Sequence, residues 1–170
     1  MTSREAVAWI LETFEGGFVD HPDDRGGPTN HGVTVQTLSE VRGQPVSRRD
    51  IRDLSRSEAV EIITRMYAEQ TGYVRIRDSW VRLAVIDFAI HSGPRTATKA
   101  LQRAAGTIPD GLFGPITERR VNETDASILA QAITASRLAH WARIFQRDTS
   151  QRAFAAGWLS RMAQLLRQQG

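Results

Sequence analysis

The sequence predicts an all-α fold. Three observations carry this: apolar residues recur at helical spacing along most of the chain, capping signatures precede several of those stretches, and period-two runs of β-branched residues are missing. The 170 residues fit one domain spanning 1–170, large enough to bury a core without disulfides or metals. No repeat, low-complexity segment or linker argues for a second domain.

The elements follow in order. Thr2-Ser-Arg-Glu5 is a capping box, and Val7, Ile10, Leu11 and Phe14 continue from it at helical spacing. Gly16-Gly17 stops that helix just after Glu15, and residues 18–34 form a polar loop punctuated by Pro22, Gly26, Gly27 and Pro28. Ser47-Arg-Arg-Asp50 opens a short helix. Ser55-Arg-Ser-Glu58 opens a longer one, with Ala59, Ile62, Ile63, Met66 and Tyr67 on one face. From Trp80 to Ile90 the chain is apolar on nearly all sides, as a helix buried in the middle of the domain must be. Gly93-Pro94 ends it, and Pro94 starts another helix with Ala97, Ala100, Leu101 and Ala104 inward. DGLFGP (Asp110–Pro115) is a turn. Two helices close the chain, over roughly 125–147 and 151–168.

Composition excludes several functions. A hydrophobic fraction of 41% and a charged fraction of 24% describe an ordinary globular protein rather than a disordered one. With no Cys there is no thiol nucleophile, disulfide framework or Cys-ligated zinc. Residues 124–170 carry six basic and two acidic side chains, and this basic half suits an anionic polymer as well as it suits a solvated surface. No basic stripe interleaved with aromatics is present, so nucleic acid is not expected as a partner. The run Ala6–Leu11 is too short and too interrupted by Glu5 and Glu12 for a signal peptide. No segment reaches the roughly 20 apolar residues that span a bilayer. Synthesis in the cytoplasm without stable membrane insertion is therefore the expectation.

The chemistry concentrates in Glu15–Thr34, EGGFVDHPDDRGGPTNHGVT. Glu15 stands in the last turn of a helix, where the macrodipole presents partial negative charge, and Phe14 and Phe18 flank it. Both influences raise a carboxyl pKa, as a general acid requires. Asp24 stands in a polar, Gly-rich segment that leaves it ionised. Two carboxyls held in different protonation states are what glycoside hydrolysis uses, and Thr29 is placed to help hold the attacking water. The same residues also read as a surface glutamate beside an ordinary turn. Asp20, His21, Asp23, Asp24 and His31 are potential metal ligands, but they match neither a calcium-hand loop nor a zinc motif, so no metal or other cofactor is expected. Asp87, inside an apolar helix, is expected to bond nearby loop groups in a structural role.

Taken together, EGG…DHPDDRGGPTNHGVT, VIDFAIHSGPRTATKALQ and DGLFGPIT resemble the muramidases of glycoside hydrolase family 108, in order from about residue 5 to 162. The resemblance implies a single lysozyme-like helical domain with its central buried helix at about 80–92. Its catalytic loop is 15–34, and its C-terminal part, 94–170, contains a peptidoglycan-binding-like motif. It implies a cofactor-free N-acetylmuramidase that cleaves the β-1,4 bond between N-acetylmuramic acid and N-acetylglucosamine. Glu15 is then the catalytic acid, Asp24 the loop carboxylate, and Thr29 (or Thr34) the residue assisting water. Asn30, His31, Tyr67, Tyr73 and His91 are the expected substrate contacts; His31 and His91 replace the family's usual Tyr and Asn, and Tyr67 also fits the core stripe of its helix. Leu101, Phe113 and Ile116 of the binding-like motif double as core residues.

The partner implied is the peptidoglycan glycan strand, met by a monomer in the periplasm after release through a holin or another export route. A phage endolysin and a secretion-associated muramidase both fit. A lytic transglycosylase, which needs only one Glu, and a non-catalytic wall-binding component are the alternative readings. A water-holding Asp24 and Thr29 favour inversion, for which the two carboxyls stand about 6.5–9.5 Å apart, against about 5–5.5 Å for retention.

Overall fold

The computed structural model describes residues 1–14, 16–20 and 28–168, and the chain folds as two compact units, Met1–Gln70 and Thr71–Gly170. The fold class is all-α and lysozyme-like, as the sequence predicts.

The first unit begins with α1 (Ser3–Phe14). Its capping box forms: the Glu5 amide donates to Thr2 Oγ1 at 3.2 Å and the Thr2 amide donates to Glu5 Oε2 at 2.7 Å. Ala6, Val7, Ile10 and Leu11 bury one face, which packs on α4 (Arg56–Thr64) through that helix's own apolar stripe of Ala59, Ile62 and Ile63. Arg56 Nη2 donates to the Leu11 carbonyl at 3.1 Å, satisfying one of the acceptors left open in the last turn of α1. Between them lie a hairpin, β1 (Thr29–Asn30) with β2 (Val33–Thr34), then α2 (Val35–Arg42) and α3 (Arg48–Arg52). The capping box of Ser47 and Asp50 is present, and Ser55 caps α4 through the Glu58 amide. A π-helical turn, Arg65–Glu69, follows α4 and ends with the Gln70 amide bonded to the Arg65 carbonyl at 2.9 Å.

The hairpin departs from the sequence reading, which expected only loop there. Thr29 pairs with Thr34 and Asn30 with Val33 across a two-residue turn, His31-Gly32. Both turn residues have positive φ, 49° and 77°, the backbone that lets a two-residue loop follow the twist of its strands. Strands of two residues are too short to show a period-two pattern.

The second unit is built on α5 (Ser79–Ser92), capped by Asp78, whose side chain accepts from the Val81 amide. Its residues are buried almost without interruption from Val81 to Ala89. The neighbours are α6 (Pro94–Ala104) and α8 (Ala126–Arg147), with α7 (Pro115–Glu123) and α9 (Ala155–Arg167) completing the unit and a short 3-10 turn, Thr149–Phe154, leading into α9. Pro94 and Pro115 occupy the first positions of α6 and α7, where a missing N–H costs nothing.

The turn between α6 and α7 is held by a side chain the sequence reading passed over. Gln102, buried, donates through Nε2 to Asp110 Oδ1 (2.7 Å), the Leu112 carbonyl (3.0 Å) and Thr117 Oγ1 (3.1 Å), and accepts from the Gly111 amide at 2.8 Å. Gly111 has φ +85°, and a Cβ there would stand 2.6 Å from Arg95 Cγ, so Gly fits the turn on both counts. Leu101 is core as expected. Ile116 is not: it lies 68% exposed, because α7 turns Thr117 and Val121 inward instead.

Candidate active site

Glu15 and Asp24 lie outside the described residues, as do His21 and Asp23. What the structure describes is the frame on either side of Asp24. Val19 and Thr29 form an antiparallel bridge, with N–H to carbonyl distances of 2.8 and 2.9 Å, so the two ends of the 20–28 segment are pinned to each other. Next to the bridge, Arg48 of α3 forms an ion pair with Asp20, whose side chain is only 19% exposed. Arg52 of the same helix sits over the Phe18 ring at 5.0 Å from its centroid. Asp20, one of the potential metal ligands, is thus committed to a guanidinium. Phe14 packs edge-on against Trp9, centroids 5.2 Å apart.

Asn30 completes the frame. Its Nδ2 reaches three carbonyls at and just beyond the end of α3: Ile51 and Arg52 at 3.0 Å and Leu54 at 3.3 Å. The Ile51 carbonyl also accepts from the Leu54 amide at 3.2 Å, so the two protons of the buried Asn30 amide are shared among carbonyls at the end of α3. The Asn30 amide nitrogen is spent on the fold. Asn30 Oδ1 and His31 Nδ1 are buried with no hydrogen-bond partner among the described residues. Thr29 is half-buried at the closing end of the bridge. Thr34 caps α2, its hydroxyl accepting from the Thr37 amide at 3.1 Å, which accounts for that threonine without catalysis.

Tyr67 lies half-buried in the π-helical turn, and burial pushes its phenol above the ordinary range. Single π-helical turns inside helices gather at functional sites, and no sequence pattern marks this one. Tyr73 differs. It is fully buried, its hydroxyl bonded to Thr98 Oγ1 at 2.6 Å and to the Pro94 carbonyl at 3.0 Å, with Phe113 edge-on at 5.6 Å. Burial drives its pKa to about 12. The expectation of a glycan platform at Tyr73 is corrected: the ring is core.

In the second unit, His91 occupies an aromatic cluster. Its ring meets Trp158 edge-on at 4.6 Å and Trp141 at 5.4 Å, and Trp158 stacks on Phe145 at 5.1 Å. Burial first, and then the positive Arg137 and Arg161, lower its pKa to about 4, so the ring is neutral at physiological pH. One turn earlier on α5, Asp87 is fully buried and accepts from Arg137 of α8 and from Nε (3.0 Å) and Nη2 (2.7 Å) of Arg161 on α9. Burial alone would raise this carboxyl, but the two guanidinium groups outweigh it and hold the pKa below the usual value. The expected loop partners of Asp87 are therefore replaced by cations on two helices, 50 and 74 residues away in sequence.

Comparison with known proteins gives this geometry its context. Residues 7–93 match the family model described as Glycosyl hydrolase 108, and residues 96–163 match one described as Predicted Peptidoglycan domain. No curated protein sequence matches the chain. Among solved structures it is similar to SagA of Brucella abortus, at 34% identity and a TM-score of 0.81, over 96% of this chain and 90% of that one. With just over half of its residues matching one family model and a similar structure spanning nearly its whole length, the chain belongs to the glycosyl hydrolase 108 family, glycoside hydrolases here joined to a peptidoglycan domain.

Proposed function

We propose that the protein is an N-acetylmuramidase that cleaves the β-1,4 bond between N-acetylmuramic acid and N-acetylglucosamine, with Glu15 as general acid. One observation supports this most: the Glu-Gly-Gly sequence follows directly on α1 (Ser3–Phe14), and the segment carrying Asp24 is pinned at both ends by the Val19–Thr29 bridge, Asp20–Arg48 and the Asn30 clamp. Glycoside hydrolysis needs two carboxyls held at a fixed separation, and pinned flanks on either side of residues 21–27 support that reading. As the acid, Glu15 must be protonated when the glycan binds, whereas the loop carboxylate must be ionised. Asp24, as the ionised partner, activates water with the help of Thr29, and the anomeric centre is inverted. Tyr67 and His31 contribute to the glycan surface of the first unit.

The setting we propose is host lysis by a phage endolysin acting as a monomer, for which delivery to the periplasm of a Gram-negative cell should cause lysis with the wild type and none with Glu15→Gln. The bond cleaved is tested by mass spectrometry of borohydride-reduced fragments from purified peptidoglycan. Reduced muramic acid ends are expected. Anhydro ends would identify a lytic transglycosylase, and binding without any fragments would identify a wall-binding component.

A further inference from the structure

A groove of about 530 Å³ runs between α6 and α8, floored by Phe88 of α5. Lys99 and Arg103 line it from α6, and His140 and Arg143 line it from α8. The pattern is regular: each helix contributes positions i, i+3, i+4 and i+7, beginning at Thr96 on one and at Ser136 on the other, so each lays one continuous face into the groove. Thr96 and Ser136 add a hydroxyl apiece. Lys99 is the only lysine of the chain.

Charge separates this groove from three other depressions of the described surface. Those bring acids together with their bases: Glu118 and Glu123 with Arg77 and Arg119, Asp78 with Arg77, Glu40 with Arg65. Here no acidic side chain lines the wall, and neither α6 nor α8 contains an Asp or Glu anywhere along its length. The one buried cation of α8, Arg137, is occupied by Asp87. Lys99, Arg103 and Arg143 therefore face the groove unopposed by acids of their own helices, in a concave setting that concentrates the field.

We propose that this groove is a second binding site, for the carboxylates of the acidic peptide stems carried by peptidoglycan. The inference rests on the reading of the protein as a peptidoglycan-cleaving enzyme and names the part of the substrate that this face holds. Arg103 and Arg143 suit carboxylates by bidentate pairing, Lys99 adds a point charge, and the exposed Ala139 methyl offers apolar contact to an aliphatic stem residue. Every polar group lining the groove lies within the 96–163 segment that matches the peptidoglycan domain. Burial, together with Arg143 and Arg137, lowers the pKa of His140, so a bound carboxylate must raise it again.

The test is an NMR titration of the full chain with the free stem tetrapeptide, L-alanyl-γ-D-glutamyl-meso-diaminopimelyl-D-alanine, and separately with inorganic phosphate at matched ionic strength. The peptide is expected to shift the His140 ring resonances and raise its pKa, and Lys99→Gln/Arg143→Gln should bind at least about tenfold more weakly. An unchanged His140, or a response to phosphate as strong as to the peptide, overturns the proposal. Cleavage kinetics separate it from the muramidase reading. On peptide-bearing chains the double variant should raise KM at unchanged kcat, and on amidase-stripped glycan it should match the wild type. Wild-type cleavage with no difference on peptide-bearing chains defeats the groove alone. Peptide binding without cleavage by any form defeats the muramidase reading alone.

Discussion

The two units hold their key residues by opposite means. In Met1–Gln70, the flanks of the segment that carries Asp24 are fastened from outside, by a strand bridge, an ion pair to an exposed arginine and one buried amide reaching three carbonyls. In Thr71–Gly170, α5 is fastened from inside, by a carboxylate without solvent exposure between two guanidinium groups and by an aromatic cluster beside it. The first arrangement ties together the two flanks of the segment that carries Asp24. The second fixes a helix that need not move. Substitutions in the two regions should accordingly separate activity from stability.

The largest effect on stability is expected at Asp87. Asp87→Asn leaves Arg137 buried without its counter-charge, and breaking a buried pair in this way costs about 3–5 kcal/mol. Urea unfolding measures it, and a loss below about 1 kcal/mol would mean the ion cluster is not what secures the second unit. Because the folded pKa of Asp87 is held below its ordinary value, its contribution is complete above pH 3.8 and is lost as the pH falls through the lower folded value.

Asn30→Ala should follow, at about 1–3 kcal/mol, because the Arg52 and Leu54 carbonyls lose their side-chain donor while Ile51 keeps only the Leu54 amide. Its distinctive sign is functional: activity on peptidoglycan should drop at temperatures where the chain is still fully folded, since the closing end of the loop loosens. Asp87→Asn, measured well below its own unfolding transition, should retain activity. If both variants lost activity only in proportion to unfolding, the contrast between the two regions would fail.

His91 sharpens the account of the second unit at smaller scale. Its folded pKa is lowered to about 4 from 6.5, so the unfolded state binds the extra proton first. Stability from this group is present above pH 6.5 and is lost as the pH falls toward 4. The unfolding midpoint should therefore decline over that window, by a few degrees, and His91→Phe should flatten the decline while keeping the ring contacts with Trp141 and Trp158. A slope that persists in the variant assigns the effect to other groups.

Much of this was legible in the sequence wherever a signal is local. Capping boxes at Thr2 and Ser47, the Ser55 cap, Pro94 at a helix start, and the apolar surround of Trp80–Ile90 each state their structure within a few residues. The motifs in order stated the family. What stayed hidden depends on partners far along the chain. The cations of Asp87 come from α8 and α9, the acceptors of Asn30 from the end of α3, and the burial of Tyr73 from Thr98 and Phe113. The basic groove was hidden for the same reason: two stripes on separate helices become one site only once α6 and α8 pack together.

The most direct test of the central claim compares wild type with Glu15→Gln for release of reducing ends from purified peptidoglycan, alongside sedimentation with the same polymer. The account predicts equal sedimentation and unchanged unfolding, with release in the variant reduced by a factor on the order of 10³, within the range a general acid contributes. Equal release by the two proteins would contradict it and remove Glu15 from the chemistry.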